Sequence, residues 1–410
     1  MTSMTQDDVR AAAEQLVQFH QRFAPLFGKE QAQDHAYDYL KGLMTCPERK
    51  SIEPIALNVG HGDVSGLQKF INIAPWQSDD VHDEIQSLFA DELVPSARRS
   101  PIGIVGVLDE SCFAKKGTAS VGVARQHNGR LGKEDNCQVG VFLIGVTPEG
   151  VALLDHQLYL HQSWYDGPKA RRCRQKVHVP EGLPFRTKPQ IAAELVRDVV
   201  VRDVVHLDWV VADEEYGTNG ELLDELEYLE QRYLMEIPKT NTVWTVDPAA
   251  CVPAYRGRGQ PPKRPTREAV HAVAEVAAML PAESWRAIQV REGAKGPLVF
   301  EFVAVRVWAV RHRRPGPPIW LVIRRSLEEE PEVKYYVSNA DAETPLEVLG
   351  LVACSRHRVE DFFEDCKSYL GMAQYETRSW IGWHHHMTLV GLAHLFVTLA
   401  HRRLKKKSRS

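Results

Sequence analysis

The stretch VVADEEYG, residues 210–217, runs from a short apolar segment straight into Asp213, Glu214 and Glu215. GIVGVLDES, residues 103–111, places Asp109 in the same way at the end of an apolar run. The ends of strands are where side chains of α/β sheets reach a shared crevice. A third acid, Glu360, lies in SRHRVEDFFEDCK, residues 355–367, which has the spacing of a helix. At 100° per residue Arg356, Glu360 and Lys367 fall within about 40° of one another, so one helix face would carry an arginine, a glutamate and a lysine. Carboxylates drawn from three separate places suit a hard, oxygen-seeking cation such as Mg²⁺. A pair of such ions about 4 Å apart can stabilise both the attacking and the leaving oxygen of a phosphodiester. Either aspartate alone reads more readily as the cap of a following turn or helix, and both readings stand at this point.

These acids need elements to carry them. Residues 6–44 have apolar side chains at helical spacing, and LQKFINIAPWQSDDVHDEIQSLFADEL continues as helices with Ser78 or Asp79 as an N-cap, so residues 1–98 are expected to be α-helical. From residue 102 the pattern changes to short apolar strands, IGIVGVLDES, CQVGVFLIGVTP and VALLDHQLYL, followed by a helix at about 187–203 and the strand VVHLDWVVAD. That order predicts a mixed α/β sheet over residues 99–239. A Pro/Arg/Gly-rich loop follows residue 240, with a short helix at 266–280; then WRAIQVRE, LVFEFVAVRVWAV, PIWLVIRRS and VKYYVSN alternate like antiparallel strands, a β-rich insertion over 240–344. Residues 345–401 return to helix, with long segments at 356–370 and 383–403, and residues 402–410 form a basic tail.

The chain of 410 residues is 44% hydrophobic, enough for packed cores. Its seven cysteines form no CxxC pair, which speaks against a zinc ribbon or redox pair and for reduced core thiols. MTSMTQDDVR lacks the basic start and apolar run of a signal peptide, so a cytoplasmic protein without a membrane span is expected. The net charge of −4 conceals a segregation: Tyr255–Arg325 holds fourteen Lys/Arg against five Glu, and 402–410 six positive charges and no negative ones, whereas residues 1–100 hold nine basic and fifteen acidic residues. The basic middle, with Arg256, Arg258, Lys263 and Arg264, is the candidate phosphate-binding surface; the plain alternative is a solvated loop.

VLDES, FAKKGTASVGVARQHNGRLGKEDNCQVGVFL, VVADEEYG, RHRVEDFFEDCK and YETRSWIGWHHHMTLVGLAHLF together resemble the DDE transposases of bacterial insertion sequences, in the branch whose RNase H-like core is interrupted by a β-strand insertion before the final glutamate. The resemblance spans most of residues 30–400. It implies that Asp109, Asp213 and Glu360 are both the catalytic and the metal-binding triad, holding two Mg²⁺ ions for which Mn²⁺ can substitute. The family's final helix carries Tyr, Arg, Glu and Lys with two, three and six residues between successive members; Arg356, Glu360 and Lys367 match, and Ala353 stands at the tyrosine position. Glu364, one turn on, is the rival acid, but only Glu360 has that spacing to both basic residues.

The resemblance further implies an enzyme that cuts the ends of an insertion sequence and joins the 3′-OH to target DNA. Its partners would be double-stranded DNA, as terminal inverted repeats and target, and a second copy of the chain as a homodimer on DNA; the protein would be nucleoid-associated. Lys115 and Lys116, just past Asp109, could neutralise a phosphate or simply form an exposed turn. Arg171, Arg172, Arg174 and Lys176 read as a basic loop, and His384, His385 and His386, with Trp380 and Trp383, as packing or DNA-touching residues rather than a metal site. Trp308 and Trp320 read as core, with base stacking the alternative. No Walker A pattern or dinucleotide fingerprint is present, so no nucleotide cofactor is expected. Two other classes stay open: a domesticated DNA-binding regulator, which a locus without inverted repeats would favour, and a metal-dependent enzyme recruited to a small molecule, which a retained metal site without DNA affinity would favour.

Overall fold

The computed structural model describes residues 5–59, 62–128, 132–255, 260, 265–293 and 296–407. In chain order the elements are α1 (Gln6–Phe23), α2 (Glu30–Thr45), α3 (Ile52–Asn58), α4 (Val64–Asn72), α5 (Ser78–Glu92), α6 (Val94–Ala97), β1 (Val105–Ala114), β2 (Ala124–Asn128), β3 (Lys133–Thr147), β4 (Gly150–Tyr159), α7 (Gly167–Lys176) and α8 (Lys188–Arg202). There follow β5 (Trp209–Ala212), α9 (Glu214–Gly217), α10 (Gly220–Tyr228), β6 (Tyr233–Ile237), β7 (Thr242–Trp244), β8 (Val270–Ala272), α11 (Val273–Met279), β9 (Arg286–Gly293), β10 (Gly296–Arg311), β11 (Arg314–Arg325) and β12 (Val333–Ser338). The last are α12 (Leu346–Ala353), α13 (His357–Ser368) and α14 (Trp380–Lys407). This is the mixed α/β architecture of an RNase H-like core.

The chain divides into two compact units, the first made of the stretch up to Ser100, Asp109–His206 and the stretch from Arg358 onward. Its sheet is the antiparallel β2–β3–β4 set, and β3 is buried along its whole C-terminal part. Burial on both faces explains why CQVGVFLIGV reads as a continuous apolar run rather than an alternation. α8 packs on β3 and β4, and it starts where Thr187 and Gln190 form a reciprocal capping box. α14 is apolar nearly all round because it is enclosed: it packs on β4 and on α1, α2, α4 and α5. Gly391 permits the close approach, since a Cβ there would lie 2.7 Å from Leu153 Cδ2 and 2.9 Å from Leu153 Cβ. The acidic N-terminal helices thus cover α14 as part of one core.

The second unit comprises Pro101–Leu108 and Leu207–His357. Here β5 pairs in parallel with the start of β1 and with β6. β12 then pairs antiparallel with β6, and β11 and β10 extend the sheet, flanked by β9 and by β7 with β8. Buried Arg311 anchors the β10 end: its Nη2 donates to Glu227 Oε1 at 2.9 Å and to the Tyr233 hydroxyl at 2.7 Å, and its Nη1 to Asp224 Oδ1 at 3.3 Å.

Several expectations need correction. The helix expected over 266–280 is the strand β8 followed by the shorter α11, because the β7 edge recruits Val270–Ala272. The N-cap of α5 is Gln77 rather than Ser78 or Asp79. Arg171, Arg172, Arg174 and Lys176 lie on the helix α7, not in a loop. The expected basic tail is helical through Lys407, with Arg402 ion-paired to Glu92 and Glu149. Of the cysteines, Cys46, Cys137 and Cys366 are buried but Cys173 is exposed. Among the described residues, no helix is long and apolar enough to cross a membrane.

Candidate active site

In the second unit the site is built around the end of β5. The strand stops at Ala212 because Asp213 turns out of the ladder and caps α9, its Oδ1 accepting the Glu215 N–H at 3.0 Å. Gly217 lets this short helix lie on β6, where a Cβ would come within 2.0 Å of the Glu236 carbonyl oxygen. The other Asp213 oxygen, Oδ2, lies 3.8 Å from Arg356 Nη2. Arg356 precedes α13 in the turn that follows α12, so it does not share the helix stripe with Glu360 and Lys367; its place is set by Asp213 instead. Ala353, at the tyrosine position, is buried on α12 and offers no surface to a phosphate. In the parallel register Val107 faces Val211, and Asp109 and Asp213 each come two residues later in their own segments.

In the first unit β1 continues through Asp109, which is partly buried and accepts the Glu110 N–H through Oδ1 at 2.7 Å. Glu110 is paired with Lys188 at the start of α8, Nζ to Oε2 2.7 Å. Past the strand, Lys115 stacks its amine 3.5 Å from the centre of the Tyr375 ring. Burial, and then the Arg49 guanidinium, push that amine down to about 8, with Glu376 opposing. Lys116 is exposed. On α13, Glu360 and Glu364 are exposed, while the Lys367 amine sits 5.9 Å from the Phe113 ring and 5.5 Å from the Phe363 ring. Lys367 therefore lies against β1 itself, four residues beyond Asp109.

Asn136 carries a role that the sequence did not announce: it donates through Nδ2 to the Lys115 carbonyl at 2.6 Å and the Gly117 carbonyl at 3.0 Å, fixing the loop after β1. Asn136 stands at the polar start of β3, just before the apolar run from Cys137, so no local signal marks this role. The histidine triplet is buried, in keeping with the packing alternative. The His385 ring stacks on Trp76 at 3.6 Å, and its two nitrogens face the Ile71 and Trp76 carbonyls at 2.9 Å each. His386 Nδ1 meets the Tyr39 hydroxyl at 2.8 Å, and Trp383 is fully enclosed. Trp308 and Trp320 are half-buried, the latter donating to the Asp341 carbonyl at 3.0 Å and facing Arg306. Arg256, Arg258, Lys263 and Arg264 lie outside the described residues.

Asp213 follows the end of β5, whereas Asp109, expected at the end of its strand, lies within β1, which continues to Ala114. Residues 22–297 match the family described as DDE superfamily endonuclease, and the chain belongs to that family. The match takes in Asp109 and Asp213 and ends before Glu360. Over 210 residues the chain is 28% identical to the probable transposase for insertion sequence element IS701 of Microchaete diplosiphon, a stretch that is 51% of this chain and 50% of that protein. The chain thus spans about half the length of this curated relative.

Proposed function

We propose that the protein is a DNA transposase that cuts insertion-sequence ends and joins the exposed 3′-OH to target DNA, with Asp109, Asp213 and Glu360 as its catalytic acids. The observation that carries this reading is the family membership, whose match takes in both Asp109 and Asp213. The donor set fits a hard divalent cation, because all three side chains offer oxygen and none offers nitrogen or sulfur. Bound there, a pair of Mg²⁺ ions, or Mn²⁺ in their place, would spread the charge of the attacking and leaving oxygens.

The chain's own residues have distinct tasks in this reading. Asp213 keeps one oxygen on the α9 N-terminus, which fixes its rotamer. Arg356 balances its charge and is placed to meet a phosphate. Lys367 and Lys115, each held against an aromatic ring, give the DNA backbone fixed positive charges, and Lys116 an exposed one. The quartet Arg256, Arg258, Lys263 and Arg264 would bind phosphates without reading sequence. Two ends must be joined in one event, so a homodimer on terminal inverted repeats is part of the proposal, as is residence on the nucleoid. The test is cleavage of a labelled end duplex in Mg²⁺ by wild type and by Asp109→Asn, Asp213→Asn and Glu360→Gln. Each variant should stay folded and lose cleavage; full activity in any of them removes that residue from the site.

A further inference from the structure

β4 carries Asp155 and His156 into the core of the first unit, where they meet His82 of α5. All are buried, with 6%, 3% and 1% exposure respectively. Each offers one ligand atom, and these atoms lie within 4.8 Å of one another. The strand is bulged here, the β3–β4 register shifting between the pairs Leu143–Asp155 and Ile144–Leu153, which lets neighbouring side chains approach one place.

The hydrogen bonding of the cluster is incomplete. His82 Nε2 lies 3.4 Å from the Thr388 hydroxyl, leaving Nδ1 turned to Asp155 Oδ1 at 3.1 Å. Asp155 Oδ2 lies 3.5 Å from Arg202 Nη1. Among the described residues neither ring nitrogen of His156 has a partner in good hydrogen-bond geometry, the backbone of His384 being a weak neighbour, although the ring is enclosed by Phe142, Trp383, His384 and His82. A buried imidazole without a partner loses the hydration of its nitrogens and gains nothing in return, which calls for a ligand that the ring nitrogens can meet.

We propose that His82, Asp155 and His156 form a structural site for a borderline divalent transition metal of the zinc class, separate from the Asp109, Asp213 and Glu360 carboxylates. Two imidazoles and one carboxylate suit Zn²⁺, whereas Mg²⁺ selects oxygen. Ligands held about 2.0–2.1 Å from zinc stand about 3.4 Å apart, so binding draws the three side chains together. Thr388 on His82 Nε2 and Arg202 on Asp155 are the outer contacts that orient such ligands. The ion would tie α5 of the N-terminal helices to β4. This proposal does not depend on the transposase reading.

The experiment uses the full chain, stripped with chelator and titrated with Co²⁺ and Zn²⁺ in excess Mg²⁺. The expected result is about one equivalent of Co²⁺ in a tetrahedral nitrogen/oxygen spectrum without a thiolate charge-transfer band, and a higher thermal midpoint with Zn²⁺. His156→Leu fills the site with apolar volume and should bind roughly 100-fold more weakly or worse. Asp109→Asn should keep the cobalt spectrum, since Asp109 is not one of the three ligands. No uptake by wild type, a thiolate band, or an unchanged spectrum in His156→Leu would each overturn the site. Should His156→Leu not fold, X-ray absorption of the wild-type zinc complex decides: histidine scattering supports the proposal and its absence ends it.

Discussion

One carboxylate, that of Asp213, serves two partners: Oδ1 accepts the Glu215 N–H at 3.0 Å and Oδ2 lies 3.8 Å from Arg356 Nη2. The cap and the charge can be separated by substitution. Asparagine caps as well as aspartate, so Asp213→Asn should leave stability within about 0.5 kcal/mol, while Asp213→Ala loses the cap at about 1 kcal/mol. Both should lose end cleavage, and both should show a smaller rise in thermal midpoint on adding Mg²⁺ than wild type. If Asp213→Asn cleaved normally and kept the full metal-induced shift, the aspartate would be a cap and nothing more.

Glu360 and Glu364 stand one turn apart on the exposed side of α13. Glu360→Gln should abolish cleavage, and Glu364→Gln should reduce it only mildly. The opposite order in a single-turnover assay would shift the third acid to Glu364.

Removing one partner from a buried ion pair strands the rest. Arg311→Met should therefore cost about 3 kcal/mol in urea unfolding, because Glu227 and the Tyr233 hydroxyl lose their shared donor. A loss below about 1 kcal/mol would mean that the surrounding β-sheet holds without this anchor.

Burial pushes His385 down to about 4 and His386 down to about 3, both from the ordinary 6.5. In the unfolded chain each takes up its proton near 6.5, so the folded state binds fewer protons below that pH. Their stabilising effect is complete above about pH 6.5 and is lost as pH falls toward 4, at about 1.4 kcal/mol per pH unit for each group. His386→Asn, which still offers an acceptor to Tyr39, should flatten the pH dependence of the denaturation midpoint by about one proton between pH 6 and 4. An unaltered slope would show that His386 does not titrate on unfolding.

Neutralising Arg256, Arg258, Lys263 and Arg264 together should weaken binding to end and random duplexes alike. The log K against log[salt] slope should become shallower by about 0.9 for each phosphate that is no longer neutralised. A slope identical to wild type would mark this loop as merely solvated.

Local signals in the chain were good guides to what local physics decides. Apolar runs bounded by turn residues announced β1, β3, β4 and β5, and the alternating segments after residue 285 announced the antiparallel strands β9 to β12. The helix expected at about 187–203 is α8, Lys188–Arg202. What stayed hidden depended on partners far away in sequence. Arg356 fits a helix stripe by spacing, yet α13 begins after it and the Asp213 carboxylate decides its position. The histidine triplet looks polar in sequence, but Trp76, Ile71 and Tyr39 give it a core. Ala272 recruited into a ladder with Thr242 likewise overrode a helical pattern. The acids Asp109, Asp213 and Glu360 stood out in sequence and so did the capping reading of Asp213, whereas the continuation of β1 past Asp109, the Arg356 pairing and the Asn136 brace arise from the folded arrangement alone.

The pairing of β12 with β6 makes the insertion difficult to remove. Tyr335 to Ser338 run against Ile237 to Leu234, with Lys334 tied to Glu236 at 3.0 Å. Excising residues 240–344 to obtain a smaller nuclease would take β12 away and leave β6 as a bare apolar edge, a template for intermolecular pairing. Keeping β12 alone, joined to β6 by a tight hairpin, would only move the bare edge one strand outward, because β11 covers the other side of β12 from Trp320 to Arg325; a monodisperse trimmed version must keep β11 as well.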